Sequence, residues 1–147
     1  MIQNEGFDFE RFYRTLADEA ADAVIYADGE GIIRFWNAGA ERIFGFSEAE
    51  ALGKSLDIII PEQLRARHSA GFEETMRTGQ TCYGAGDILA VPALRKDGSR
   101  ISIEFTVLPF HDDAGRMLGI AAILRDVTKR FEEMKSLRRQ LAERSRG

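Results

Sequence analysis

Chemistry in this 147-residue sequence concentrates on one imidazole, His68. In the stretch Pro61 to Gly79, PEQLRARHSAGFEETMRTG, the residues Leu64, His68, Phe72 and Met76 recur every four positions. On a helix they form one slowly rotating stripe. Arg65, Arg67, Glu73, Glu74 and Arg77 fall mostly on the other sides, which makes the stripe the inward one. A histidine inside an apolar face is either a metal ligand or a semi-buried structural histidine, and spacing alone leaves both open. Ser69, Ala70 and Gly71 put little bulk beside it, so a flat ligand has room. Pro61 suits a first turn, where its missing N–H costs nothing, and Thr78-Gly79 supplies the stop.

Other chemistry is sparse. Cys82 is the single cysteine, so it forms no internal disulfide, and no Cys-x-x-Cys-His is present for covalent heme attachment. It reads as a small apolar residue. His111 lies in the acidic sequence His111-Asp112-Asp113-Ala114-Gly115 and reads as a turn residue. There is no phosphate loop, zinc spacing or nucleophile elbow, so no residue is a catalytic candidate and the chain reads as a non-enzyme. Residues 129–147 carry seven Lys/Arg against three Glu, while the chain as a whole is at −4. Interspersed glutamates at helical spacing make that tail a solvated helix face, and no direct nucleic-acid or membrane partner is expected. The size is that of one domain, the longest apolar runs are too short to span a bilayer, and no leader pattern opens the sequence; the expected location is the cytoplasm.

The elements that must position His68 can be read in order. Asp8 caps a first helix with Phe9, Phe12, Tyr13 and Leu16 on one side. Val24–Ala27 and Ile32–Trp36 are short strands joined by Asp28-Gly29-Glu30-Gly31. Asn37 starts a short helix ended by Gly45, and Ser47-Glu48-Ala49-Glu50 has capping-box spacing. After the helix over 61–78, Thr81–Leu94 reads as an irregular strand. Asp97-Gly98 is a hairpin turn, Ile101, Ile103, Phe105 and Val107 alternate with polar residues, and Met117–Arg125 is a last strand with small Gly119, Ala121 and Ala122. A helix from Asp126-Val127-Thr128 to about Ser145 carries Val127, Phe131, Met134, Leu137 and Leu141 on one side. The expectation is an α+β fold: a five-stranded antiparallel sheet with short helices on one face, plus N- and C-terminal flanking helices.

Three passages now carry a resemblance: DGEGIIRFWNAGAERIFGFSEAEALGKSL, RKDGSRISIEF and the closing RDVT. Together they resemble a PAS domain, or sensory box, over roughly residues 15–130. The resemblance implies a sensory and dimerisation module of a cytoplasmic signalling protein, with 1–21 as a flanking helix, 22–128 as the PAS domain and 129–147 as a signalling or coiled-coil helix. It also gives Asp126 and Thr128 the role of joining the sheet to that helix.

Around the central helix the chain is most similar to the FixL-type heme-binding PAS sensors. Their proline-glutamate start, iron-ligating histidine and threonine-glycine end match Pro61-Glu62, His68 and Thr78-Gly79. That similarity implies heme b ligated through His68. Leu64, Phe72 and Met76 would flank it, and Tyr83, Ile88, Leu89, Ile103, Phe105, Val107 and Ile123 would line the opposite side. The ligand sensed would be a diatomic gas, O2, CO or NO. Two positions depart from the pattern: Ile88 stands where those sensors have an oxygen-stabilising arginine, and Glu74 where an arginine pairs with a heme propionate. CO or NO is then a more natural ligand than O2, unless the Tyr83 hydroxyl or a water supplies the hydrogen bond. The expected partners are a second copy through the flanking helices and a histidine kinase or a response or transcriptional regulator. The competing reading is a cofactor-free, or other small-ligand, PAS interaction module of a two-component or transcriptional regulator.

Overall fold

The computed structural model of the chain describes residues 6–81, 86 and 88–146. Helix α1 (Phe9–Glu19) leads into strands β1 (Ala23–Asp28) and β2 (Ile33–Trp36), then helices α2 (Ala38–Phe44) and α3 (Glu48–Ala51). Two 3-10 turns, Leu56–Ile59 and Glu62–Leu64, precede α4 (Arg65–Thr78). Strands β3 (Leu89–Leu94), β4 (Arg100–His111) and β5 (Met117–Asp126) follow, and α5 (Thr128–Arg146) ends the described chain. The five strands make one antiparallel sheet in the order β2-β1-β5-β4-β3. The α+β architecture is the expected one. Cys82 and Tyr83 lie outside the described residues.

Local chemistry explains the turns. The Asp28 carboxylate accepts from the backbone N–H of Glu30 (2.9 Å) and Ile32 (3.1 Å), and the Arg34 Nε donates to its other oxygen at 2.8 Å. Burial pulls the Asp28 pKa up, but Arg34 and the two backbone donors outweigh it and hold the carboxyl below its ordinary value. Gly31 takes a φ of 78° to close this hairpin. At α3 both arms of the capping box are made: Ser47 accepts from the Glu50 N–H and Glu50 accepts from the Ser47 N–H.

Asn37 does more than start a helix. Its Oδ1 accepts from Ala40 N at 2.9 Å, as an N-cap must, and from Val24 N on β1 at 2.8 Å. Its Nδ2 donates to the carbonyls of Ala17 (2.9 Å), Asp22 (3.0 Å) and Ala20 (3.4 Å). One buried amide thereby ties the end of α1, the start of β1 and the start of α2 together. Gly39 sits in the same junction, where a Cβ would collide with the Asp22 carbonyl.

The core fills the space between the sheet and the α2–α3 layer. Trp36, Phe44 and Ile33 are its fully buried large side chains, joined by Ile25, Ile103 and Leu124. Trp36 donates its indole N–H to the Phe46 carbonyl at 2.9 Å, which removes the cost of burying it. Strand alternation then separates an inner face, with Leu124 buried, from an outer one, with its neighbour Ile123 at 46% exposure. Among the described residues no helix is long and apolar enough to cross a membrane.

Candidate functional site

The histidine helix is less embedded than its pattern suggests. Among the described residues α4 buries none: Leu64, Phe72 and Met76 are half-buried and His68 is exposed. The apolar stripe was expected to be the inward one; α4 leans with it on the β1–β2 turn and the start of β5. A Cβ at Gly29 would stand 3.0 Å from the Met76 Cε, one at Gly31 4.0 Å from the Phe72 ring, and one at Gly79 3.9 Å from the Met117 Cγ. The physical reason lies in composition. The imidazole breaks a stripe of only four residues, and the small side chains after it add little area for burial.

His111 helps to hold the far end. It was read as a turn residue, but it is the last residue of β4, and its Nε2 approaches the Gly79 carbonyl at the α4 C-terminus (3.4 Å). The turn itself is made by Asp112, whose carboxylate accepts from Ala114 and Arg116 N–H groups at 2.9 Å each.

His68 and Phe72 line a cavity of about 380 Å3 together with Gly29, Glu30, Gly31, Ser55, Leu56, Asp57, Ser69 and Glu73. The two rings lie nearly parallel, at 28° and 6.2 Å between centroids. His68 keeps part of its surface in water, yet the protein shields its ring enough that burial disfavours the imidazolium and moves the pKa below 6.5; Asp57 pulls weakly the other way. Neutral imidazole is therefore the favoured form, and neutral imidazole is the form that binds metals.

Of the residues expected to surround the ligand, His68 and Phe72 line this cavity, and the expected opposite wall lies apart from it in three groups. Leu89, Ile103, Phe105 and Val107 share the inner face through the pairings Leu89↔Phe105, Val91↔Ile103 and Val107↔Ala122. Ile103 is buried in the core while Leu89, Phe105 and Val107 are half-buried. Ile123 is a correction: it points to the outer face, because its neighbour Leu124 points in and successive strand residues alternate. Ile88 is also corrected. It precedes β3 and is 68% exposed, so it walls no chamber among the described residues. Tyr83 lies outside them.

Heme b can be tested against these residues. The donor fits, since His68 is accessible from the cavity, neutral by preference, and makes no hydrogen bond among the described residues. The apolar wall fits poorly, since Leu56 and Phe72 are the large apolar residues lining this cavity and Leu89, Phe105 and Val107 do not line it. The cavity rim fits only at its solvent edge, because Glu30, Asp57 and Glu73 line it with no Lys or Arg among the lining residues. Glu74, the position where a propionate partner was sought, pairs with Arg77 at 2.7 Å on the exposed side. Propionates would have to extend into water. The polar part of this site escaped the sequence reading; the signal was the turn chemistry of Asp28-Gly-Glu-Gly and of Ser55, whose hydroxyl accepts from Asp57 N at 3.1 Å.

At the other end of β5 the joint to α5 is built from side chains. The Thr128 hydroxyl donates to Asp126 Oδ1 at 2.6 Å and accepts from Ser102 N at 2.9 Å, while Val127 N donates to the Ser102 carbonyl at 2.9 Å. Asp126 also accepts from the Thr128 N–H at 2.9 Å. The first residues after β5 are thus pinned to β4. Arg125 holds Asp22 through two hydrogen bonds, 3.0 and 3.2 Å, so the junctions with α1 and α5 are also linked.

Comparison with known proteins follows the same lines. The sensor protein FixL of Bradyrhizobium diazoefficiens is 32% identical over 139 residues, 86% of this chain and 26% of the relative. The oxygen sensor protein DosP of Escherichia coli is 27% identical over 96 residues, 65% of this chain and 12% of the relative. The chain thus spans about a quarter or less of these relatives' length. A solved PAS domain from Colwellia psychrerythraea superposes with a TM-score of 0.70 at 23% identity, over 83% of this chain and 99% of that one, which speaks to the fold alone. Residues 11–127 match the family model described as the PAS fold, and with this architecture the chain belongs to the PAS family.

Proposed function

We propose that this PAS domain is the sensory input of a two-component-type signalling protein, that it takes heme b through His68, and that it senses a diatomic gas on the opposite side of the ring. The observation that carries the reading is the His68 imidazole, facing a cavity in its neutral form without a hydrogen-bonding partner among the described residues. The relatives named as a sensor protein and an oxygen sensor support it. Bound heme would supply an iron centre open to a gas. Our reading favours CO or NO over O2, given Ile88 at the position of the family's arginine. Of the chain's own residues at the cavity, Phe72 and Leu56 would exclude water and His68 would orient the group.

Output would run through β5. Helix α4 touches the start of β5 through Gly79 and Met117, and the far end of that strand enters the Asp126–Thr128 joint. A displacement of α4 therefore has a short mechanical route to α5, and from there to a kinase or regulator. In this reading the domain is non-catalytic and cytoplasmic, and it works as a homodimer through α1 and α5.

A second reading is favoured by one specific feature, the three carboxylates on the cavity rim. They suit a module that holds no heme and acts through its flanking helices alone. Heme reconstitution of the purified chain separates the two. A Soret band in the wild type that is lost in His68→Ala supports heme ligation; a wild type that develops no Soret band removes it and leaves the interaction module.

A further inference from the structure

One apolar stripe of this chain is bordered by charges of a single sign. Helix α5 runs for 19 residues, about 28 Å, and no residue of it is buried. Its first turn is held on β4, where Ser102 N donates to the Thr128 hydroxyl and the Ser102 carbonyl accepts from Val127 N. Beyond that turn every described residue is exposed. The large apolar side chains Phe131, Met134, Leu137 and Leu141 are 56%, 48%, 55% and 64% exposed.

Written as heptads, the stripe sets Val127, Phe131, Met134, Arg138, Leu141 and Ser145 along one seam, spaced alternately four and three residues apart. The positions flanking that seam are Thr128, Lys135 and Ala142 on one side and Arg130, Leu137 and Arg144 on the other. Each charged residue among them is a cation, and Arg138 adds another inside the seam. The carboxylates Glu132, Glu133 and Glu143 fall on the far side of the helix, out of reach of anything lying on the seam. Two copies of α5 laid together in parallel would set Arg130 against Lys135 and Arg138 against Arg138. Laid antiparallel, they would again bring cationic flanks together. Flanking charges decide which helix a seam accepts, and like charges there oppose self-pairing in either direction.

We infer that α5 receives an acidic amphipathic helix of a different protein, one with an apolar seam, carboxylates on both flanks and a carboxylate opposite Arg138. The occupant follows from shape and charge complementarity. A narrow stripe with alternating four- and three-residue spacing is the complement of another helix, whose side chains fill the gaps between its own. The cationic flanks then select against a second α5 and in favour of an acidic partner. Arg138 also separates a protein partner from a lipid surface: acyl chains would bury the guanidinium unpaired at the middle of the stripe, whereas a carboxylate can meet it. The inference rests on the output part of the reading above, where α5 leads to a kinase or regulator, and it names the chemistry by which that partner is recognised. It narrows the homodimer to α1 and is independent of heme.

The test titrates the full chain into two labelled three-heptad peptides with leucine at the seam, one carrying glutamate at the flanks and opposite Arg138, the other carrying lysine there. Fluorescence anisotropy is expected to show the acidic peptide bound at least about tenfold more tightly than the basic one, and more weakly as salt is raised. Arg130→Glu combined with Lys135→Glu, both at exposed positions, is expected to reverse that order, with circular dichroism checking that the helix is kept. As a second measurement, Phe131→Glu is expected to abolish peptide binding while leaving the self-association of the chain, read by sedimentation, unchanged. Equal binding of the two peptides, or binding of neither, overturns the inference. So does a dimer that Phe131→Glu dissociates, which assigns α5 to a second copy, and so does binding to phosphatidylglycerol vesicles without a preference between the peptides, which assigns it to a lipid surface. A monomeric wild type that still prefers the acidic peptide removes the homodimer and supports the inference.

Discussion

Replacing Asn37 by alanine tests the view that one amide joins the flanking helix to the sheet. The substitution removes the N-cap of α2, a loss of about 1 kcal/mol. It also strands the Val24 N–H, which sits in the part-buried junction, at about 1–3 kcal/mol. The carbonyls of Ala17 and Ala20 lose a donor but lie near solvent, so they add little. The expected destabilisation is about 2–4 kcal/mol, equivalent to a Tm lower by roughly 6–13 °C for a chain of this size. Asn37→Ser keeps an oxygen short enough for Ala40 but not for Val24, and is expected to lose about half as much. Equilibrium urea unfolding gives the energies, and hydrogen exchange locates them: the amides of Val24, Ala40 and the last turn of α1 should lose protection together. An Asn37→Ala chain within about 0.5 kcal/mol of wild type, or one whose Val24 amide keeps its protection, refutes the reasoning.

Three further outcomes follow from the described contacts. The Lys96 ammonium beside Glu50, with the Ser47 N–H, holds that carboxyl down to about 2, so Lys96→Ala should raise it toward 4.5 in an NMR titration, and an unmoved value contradicts the pairing. Because burial depresses the folded-state pKa of His68, the unfolded chain protonates first; its contribution to stability is full above 6.5 and declines as pH falls through the folded-state value. His68→Phe should flatten that part of the stability–pH curve, and a slope unchanged by the substitution rules the assignment out. Gly39→Ala should cost about 2–3 kcal/mol or more by forcing α2 off the Asp22 carbonyl, whereas Gly71→Ala, with open space at its Cβ, should gain up to about 1 kcal/mol in denaturant unfolding; equal effects would contradict both placements.

Local signals carried most of the fold. The capping box at Ser47, the Asp97-Gly98 turn and the alternation from Ile101 to Val107 each depend on neighbours a few residues away, and the structure contains all three. What failed was orientation. Strand β5 reads MLGIAAIL, apolar on both faces, so nothing in the alternation reveals that Ile123 faces out and Leu124 in; that is decided by pairing to β1 and β4. The α4 stripe was legible as a stripe, but which surface it meets depends on a turn some forty residues earlier. The acidic rim of the cavity was hidden for the same reason, since Glu30, Asp57 and Glu73 are distant in the chain and meet only after folding.

The strand order has a consequence of its own. Strands β1 and β5 are neighbours, so the polypeptide arrives and departs side by side, about one interstrand spacing, ~5 Å, apart. A domain wired this way can be spliced into or out of a longer helical rod with hardly any change in the rod's reach. What it adds is a sideways-mounted attachment whose internal strain is felt as a relative slide of two adjacent tethers.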